Sequence, residues 1–152
     1  MKKITYLFFF LLLANTTISA QNRRGEKNKI KTLKIAHITE KLDLTSNEAE
    51  KFWPIYNAYD KKIHQLRSQE KFKIKRKIKI AGGIDALSDV EAKEIVLKTY
   101  AVEKEIYEVR SKFNAKIKSI ISYKKIIKLA NAEREFRQEL IKRLRKRRNF
   151  RD

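Results

Sequence analysis

The sequence predicts an all-α protein, and three observations carry that expectation. Turn residues are scarce, with three glycines and one proline in 152 residues. Charged residues make up 37% of the chain and alternate with Ile, Leu and Ala, a mixture that suits long amphipathic helices and not a many-turned sandwich. Apolar residues also recur at steps of three and four over most of the length, as they do along one face of a helix.

Residues 1–20 stand apart. Lys2 and Lys3 precede a run dominated by Phe and Leu from Ile4 to Ala14, and short, mostly small residues follow to Ala20. This is the plan of a secretory signal peptide, with cleavage expected near Ala20 and a periplasmic mature protein. A membrane anchor is the alternative, but eleven residues fall short of the roughly twenty that span a bilayer. Without Lys2 and Lys3 the formal charge falls from +20 to +18. The chain has no cysteine, so an exported form must be held by packing or by a partner subunit.

Residues 21–29 are polar and read as a flexible segment, 30–148 as a single helical domain, and 149–152 as the end of a basic tail. Ile30, Leu33, Ile35, Ile38 and Leu42 mark the first helix. Thr45 and Glu48 then form a T-x-x-E capping box, with Leu44 and Ala49 in the positions of a hydrophobic staple. Ala49, Phe52, Tyr56, Tyr59, Ile63 and Leu66 continue as one apolar stripe. Pro54 interrupts the hydrogen-bond ladder, and the unbroken phase of that stripe favours a kink over a helix end. Ser88 and Glu91 repeat the capping box, with Leu87 and Ala92 beside it. The stripe behind them runs through Ile95, Val102, Ile106, Val109, Phe113, Ile117 and Ile120. A weaker start at Ser122 has Lys125 where the acid would stand, and Ile126, Leu129, Phe136, Leu140 and Leu144 follow. Glu94–Lys98, Glu108–Lys112 and Glu139–Arg143 are expected as i,i+4 pairs. The stretch KFKIKRKIKI, residues 71–80, alternates with period two like a strand, but no partner strand exists. It is expected as a fraying helix end before the Ala81–Gly83 cap.

Catalytic patterns are missing. No G-x-S-x-G elbow or phosphate-cradling glycine loop occurs, so no enzyme activity and no cofactor are expected. Two pairs one turn apart, His37 with Glu40 and Asp60 with His64, are the weak candidates for a metal-responsive site. The charge suggests polyanions. Nucleic acid fits an exported protein poorly, which leaves unfolded or acidic polypeptides and anionic membrane surfaces. Candidate contacts are Lys71, Lys73, Lys75, Arg76, Lys77 and Lys79, then Lys142, Arg143, Arg145, Lys146, Arg147 and Arg148. A merely solvated face is the plain alternative.

The helix starts at Leu44, Thr45 and Glu48 and at Leu87, Ser88 and Glu91 resemble the L-T-x-x-Q motif of the Spy/CpxP superfamily of periplasmic stress proteins. Residues 34–63 and 128–145 resemble the Bacteroidota branch labelled sensors of ECF-type sigma factors. The resemblance implies a long bent helical hairpin with flanking helices, paired into a cradle-shaped homodimer. It implies an ATP-independent chaperone, or an inhibitory sensor that works with a membrane signalling protein. Glutamate stands here in place of the motif's glutamine, and the ligand sets of metal-sensing relatives are not matched.

Overall fold

In a computed structural model, the chain is described from residue 16 to residue 149, with side chains at 25, 26, 28–146 and 149. The apolar run read as the core of a signal peptide, and the tail from residue 150, lie outside the described residues. Among the described residues four helices follow one another: α1 (Thr16–Leu42), α2 (Ser46–Ala81), α3 (Asp89–Ile117) and α4 (Tyr123–Asn149). The fold is all-α, with no strand among the described residues. Helix α1 runs through residues 21–29 without a break, where a flexible segment was expected. Leu44–Ile127 form one compact unit, and Met1–Asp43 with Lys128–Asp152 form another. The residues read as one helical domain, 30–148, are shared between the two.

Each strong helix start is a closed capping box. Glu48 N–H donates to Thr45 Oγ1 at 3.3 Å, and Thr45 N–H donates to Glu48 Oε2 at 2.9 Å. Glu91 N–H and Ser88 N–H repeat the pattern at 3.3 and 2.9 Å. Two amides that a helix start leaves bare are satisfied each time. At the third start, Lys125 N–H donates to Ser122 Oγ, but no acid reaches back.

Helix α2 is continuous through Pro54, so the proline does not end a first helix. The period-two stretch is helical to its end and is not frayed: α2 closes on Gly82, whose φ of 91° lies in the left-handed region. Gly82 N–H donates to the Lys79 carbonyl and Gly83 N–H to that of Ile78, the crossed bonds of a Schellman motif. An L side chain at Gly82 would be strained, which is why the turn needs glycine there.

Helices α2 and α3 run antiparallel, because their cross-pairings descend one helix as they climb the other. Lys77 meets Glu94, Glu70 meets Thr99, Lys62 meets Glu105 and Tyr59 meets Phe113. At the end of the pair that holds Phe52 and Phe113, its core is aromatic. Tyr59 stacks on Phe113 with centroids 4.1 Å apart, and Tyr56 meets the same ring edge-on at 6.0 Å. Phe52 stacks on Tyr56, and Trp53 sets its edge against both. Such pairs contribute about 0.5–1.5 kcal/mol each beyond the area they bury. Ile63, Leu66, Ile117 and Ile121 complete the buried set. Helix α3 stops at Ile117, so the stripe expected to reach Ile120 is finished by Ile121 instead.

In the other unit, Ile38 and Leu42 of α1 and Leu129, Ala132 and Phe136 of α4 are buried. Lys41 pairs with Glu135 at 3.0 Å, which raises the lysine's pKa and lowers the glutamate's.

Candidate binding surface

The α2–α3 pair has two unlike halves. No residue between Leu66 and Phe113 is buried, although apolar residues are frequent there. Phe72, Ile80, Ile84, Val90, Leu97, Tyr100 and Tyr107 are all exposed. Polar contacts hold this half together. Glu94 takes Lys77 from across the pair and Lys98 from its own helix, and these two ammonium groups hold its carboxyl down to about 2. Thr99 Oγ1 lies 3.4 Å from Glu70 Oε1.

That last contact turns Glu70 toward α3. It is the one acid between Asp60 and Asp85. The same stretch of α2 carries Lys61, Lys62, Arg67, Lys71, Lys73, Lys75, Arg76, Lys77 and Lys79. Lys62 and Lys77 are spent on Glu105 and Glu94. Lys71, Lys73, Lys75, Arg76 and Lys79 are exposed and have no ion-pair partner, so their charge is directed at solvent. Lys75 and Lys79 also line an open depression together with Ile78, Gly82 and Gly83. The second basic cluster belongs to the other compact unit. Lys142, Arg143, Arg145 and Lys146 are exposed on α4, and Arg143 lies 3.6 Å from Glu139. The side chains of Arg147 and Arg148 lie outside the described set.

The candidate metal residues are dispersed. His37 turns to Glu135, with Nε2 and Oε2 4.0 Å apart, and its ring leans on Phe136. Its Nε2 is buried without a hydrogen-bond partner. Glu40 and His64 are exposed, and Asp60 is half-buried. No group of three or more His, Cys, Asp or Glu side chains able to hold a metal ion occurs among the described residues. No helix among them is long and apolar enough to cross a membrane.

The sequence did not disclose the part played by Lys125. Its Nζ lies 2.7 Å from Glu48 Oε2, and both side chains are largely covered. The Glu48 carboxyl is lowered first by this lysine and then by the Thr45 amide, so the residue that caps α2 also ties down the start of α4. The lysine that spoils the third capping box therefore supports the first. Its spacing could not reveal this, because the two residues are far apart in the chain.

Comparison of the chain with protein-family models, with curated proteins and with solved structures returns no match.

Proposed function

We propose that this is a non-enzymatic envelope-stress protein that holds unfolded or acidic polypeptides on the outer half of the α2–α3 pair. One observation carries the proposal: apolar side chains lie exposed beside unpaired cations along a stretch that buries no residue. Long-range attraction by Lys71, Lys73, Lys75, Arg76 and Lys79 brings an acidic chain in, and the exposed apolar groups hold it loosely. Such binding needs no nucleotide and no reactive group. The resemblance to Spy/CpxP-like proteins supports the periplasmic setting, the bent hairpin and the choice between two roles, ATP-independent chaperone or sensor feeding an ECF-type sigma factor.

A homodimer belongs to the same proposal. Helix α3 carries a second, exposed series at steps of four and three: Leu97, Tyr100, Lys104 and Tyr107. That spacing suits another helix laid alongside it. In equilibrium sedimentation at micromolar concentration the protein is expected to run as a dimer, and a monomer mass would remove that part.

The functional test is suppression of aggregation of a chemically unfolded acidic client, without ATP, at low and moderate salt. Suppression is expected at low salt and should weaken as salt screens the cations. If the client aggregates at the same rate with and without the protein at both salts, the proposal fails.

A further inference from the structure

We propose that the outer face of α2 around Phe72 is a docking site for an anionic lipid bilayer, a partner beyond the polypeptide above that would meet part of the same surface. Phe72 is 66% exposed in the middle of a well-formed helix. Residues three, four and seven positions away share its face. Toward the C-terminus these are Lys75, Arg76 and Lys79, and toward the N-terminus Gln69, Ser68 and Gln65. All six are exposed, and none is acidic. The nearest acid in sequence, Glu70, is turned to Thr99 on α3 and does not offset the charge of this face.

The apolar residue at the centre distinguishes a membrane from other polyanions. Solubility alone would be served by lysine or glutamate at position 72. A polyanion without apolar parts is attracted by charge alone and does not require a phenyl ring standing out from the helix. A bilayer surface answers both features. The ring enters the boundary between headgroups and acyl chains, while lysine and arginine stems lie along the apolar region and place their charged ends among lipid phosphates. Each such cation near an anionic surface adds to the attraction. The open depression lined by Lys75, Ile78 and Lys79 lies at the C-terminal end of the same helix. Ile80 and Ile84, also exposed, add apolar surface where α2 ends.

The test is co-sedimentation of the purified protein with vesicles of phosphatidylglycerol and phosphatidylcholine, against vesicles of phosphatidylcholine alone, at 0.1 M salt. Binding is expected to the anionic vesicles only. The triple variant Lys75→Gln, Arg76→Gln, Lys79→Gln should bind roughly a hundredfold more weakly. Phe72→Ser should lose about tenfold. Tyr123→Ser, an exposed aromatic at the start of α4, serves as the control and should bind as the parent does. Circular dichroism checks that each variant keeps its helix content.

Failure to sediment with anionic vesicles overturns the proposal. So does a triple variant that binds like the parent. If Phe72→Ser binds unchanged and polyglutamate competes fully, the face recognises acidic chains through charge alone and the lipid assignment is wrong. Aggregation suppression is measured on the parent protein without lipid, so a failure to bind vesicles and a failure to hold a client are read in separate assays.

Discussion

The two halves of the α2–α3 pair are built by opposite means from the same kind of helix. At the end away from the Gly82–Gly83 turn, Phe52, Tyr56, Tyr59 and Phe113 interlock as rings, and Ile63, Leu66 and Ile117 are shut away from water. Toward the Gly82–Gly83 turn, Lys77, Glu94 and Lys98 make a charged cluster at the surface, and apolar side chains face outward. Surface ion pairs contribute little, roughly 0–1 kcal/mol each, whereas a buried ring contributes several times more. The first half therefore anchors the pair, and the second is left free to meet other molecules.

The sharpest way to break this contrast is Phe113→Ala. The ring is 5% exposed and contacts both Tyr56 and Tyr59. Its removal should cost about 3–5 kcal/mol, read from the midpoint of chemical unfolding. A loss below 1 kcal/mol would mean that the aromatic cluster is not the anchor.

The next effect compares the two capping boxes. Glu48→Ala removes both the bond to Thr45 N–H and the ion pair with the largely covered Lys125, so a loss of about 2 kcal/mol is expected. Glu91→Ala removes a bond of the same kind at Ser88 but breaks no ion pair, and it should cost clearly less in the same assay. Equal losses would show that Lys125 adds nothing to the first box.

The smallest effect is a pH dependence in the outer half. Glu94 is depressed to about 2 from an ordinary 4.5 by Lys77 and then Lys98. A carboxyl lowered on folding stabilises the folded state above pH 4.5, and that contribution disappears as the pH falls toward 2. The Glu94 carboxyl carbon, followed by NMR, should titrate near 2. A midpoint near 4.5 would mean that the cluster does not persist in solution.

Much of this was legible in the sequence for local reasons. Both capping boxes lie within four residues of chain, so Thr45 with Glu48 and Ser88 with Glu91 announced their helices directly. The α2 stripe from Phe52 to Leu66 became the buried face because steps of three and four leave a helix few other choices. Glu94–Lys98 and Glu139–Arg143 formed as their spacing implies, while Glu108 and Lys112 did not pair.

The residues that misled are those whose environment comes from elsewhere. Residues 71–80 alternate like a strand, but on a helix that alternation spreads cations around the axis and leaves Phe72 and Ile80 exposed. Charge runs gave the candidate surface, yet not which cations remain unpaired, since Lys77 is taken by a residue seventeen positions away. Ala132, buried between Leu129 and Phe136 in the helical repeat, is too small to stand out in a hydropathy pattern.

The bond between Lys125 and Glu48 spans seventy-seven positions and so imposes an order on assembly. A ribosome delivers Glu48 first, and its carboxylate must wait, exposed and half-satisfied, while both long helices are made. Only when Lys125 emerges can the aromatic end be latched. Until then the hairpin has an unlatched base as well as an open tip, and the latch closes on the third residue of its last helix.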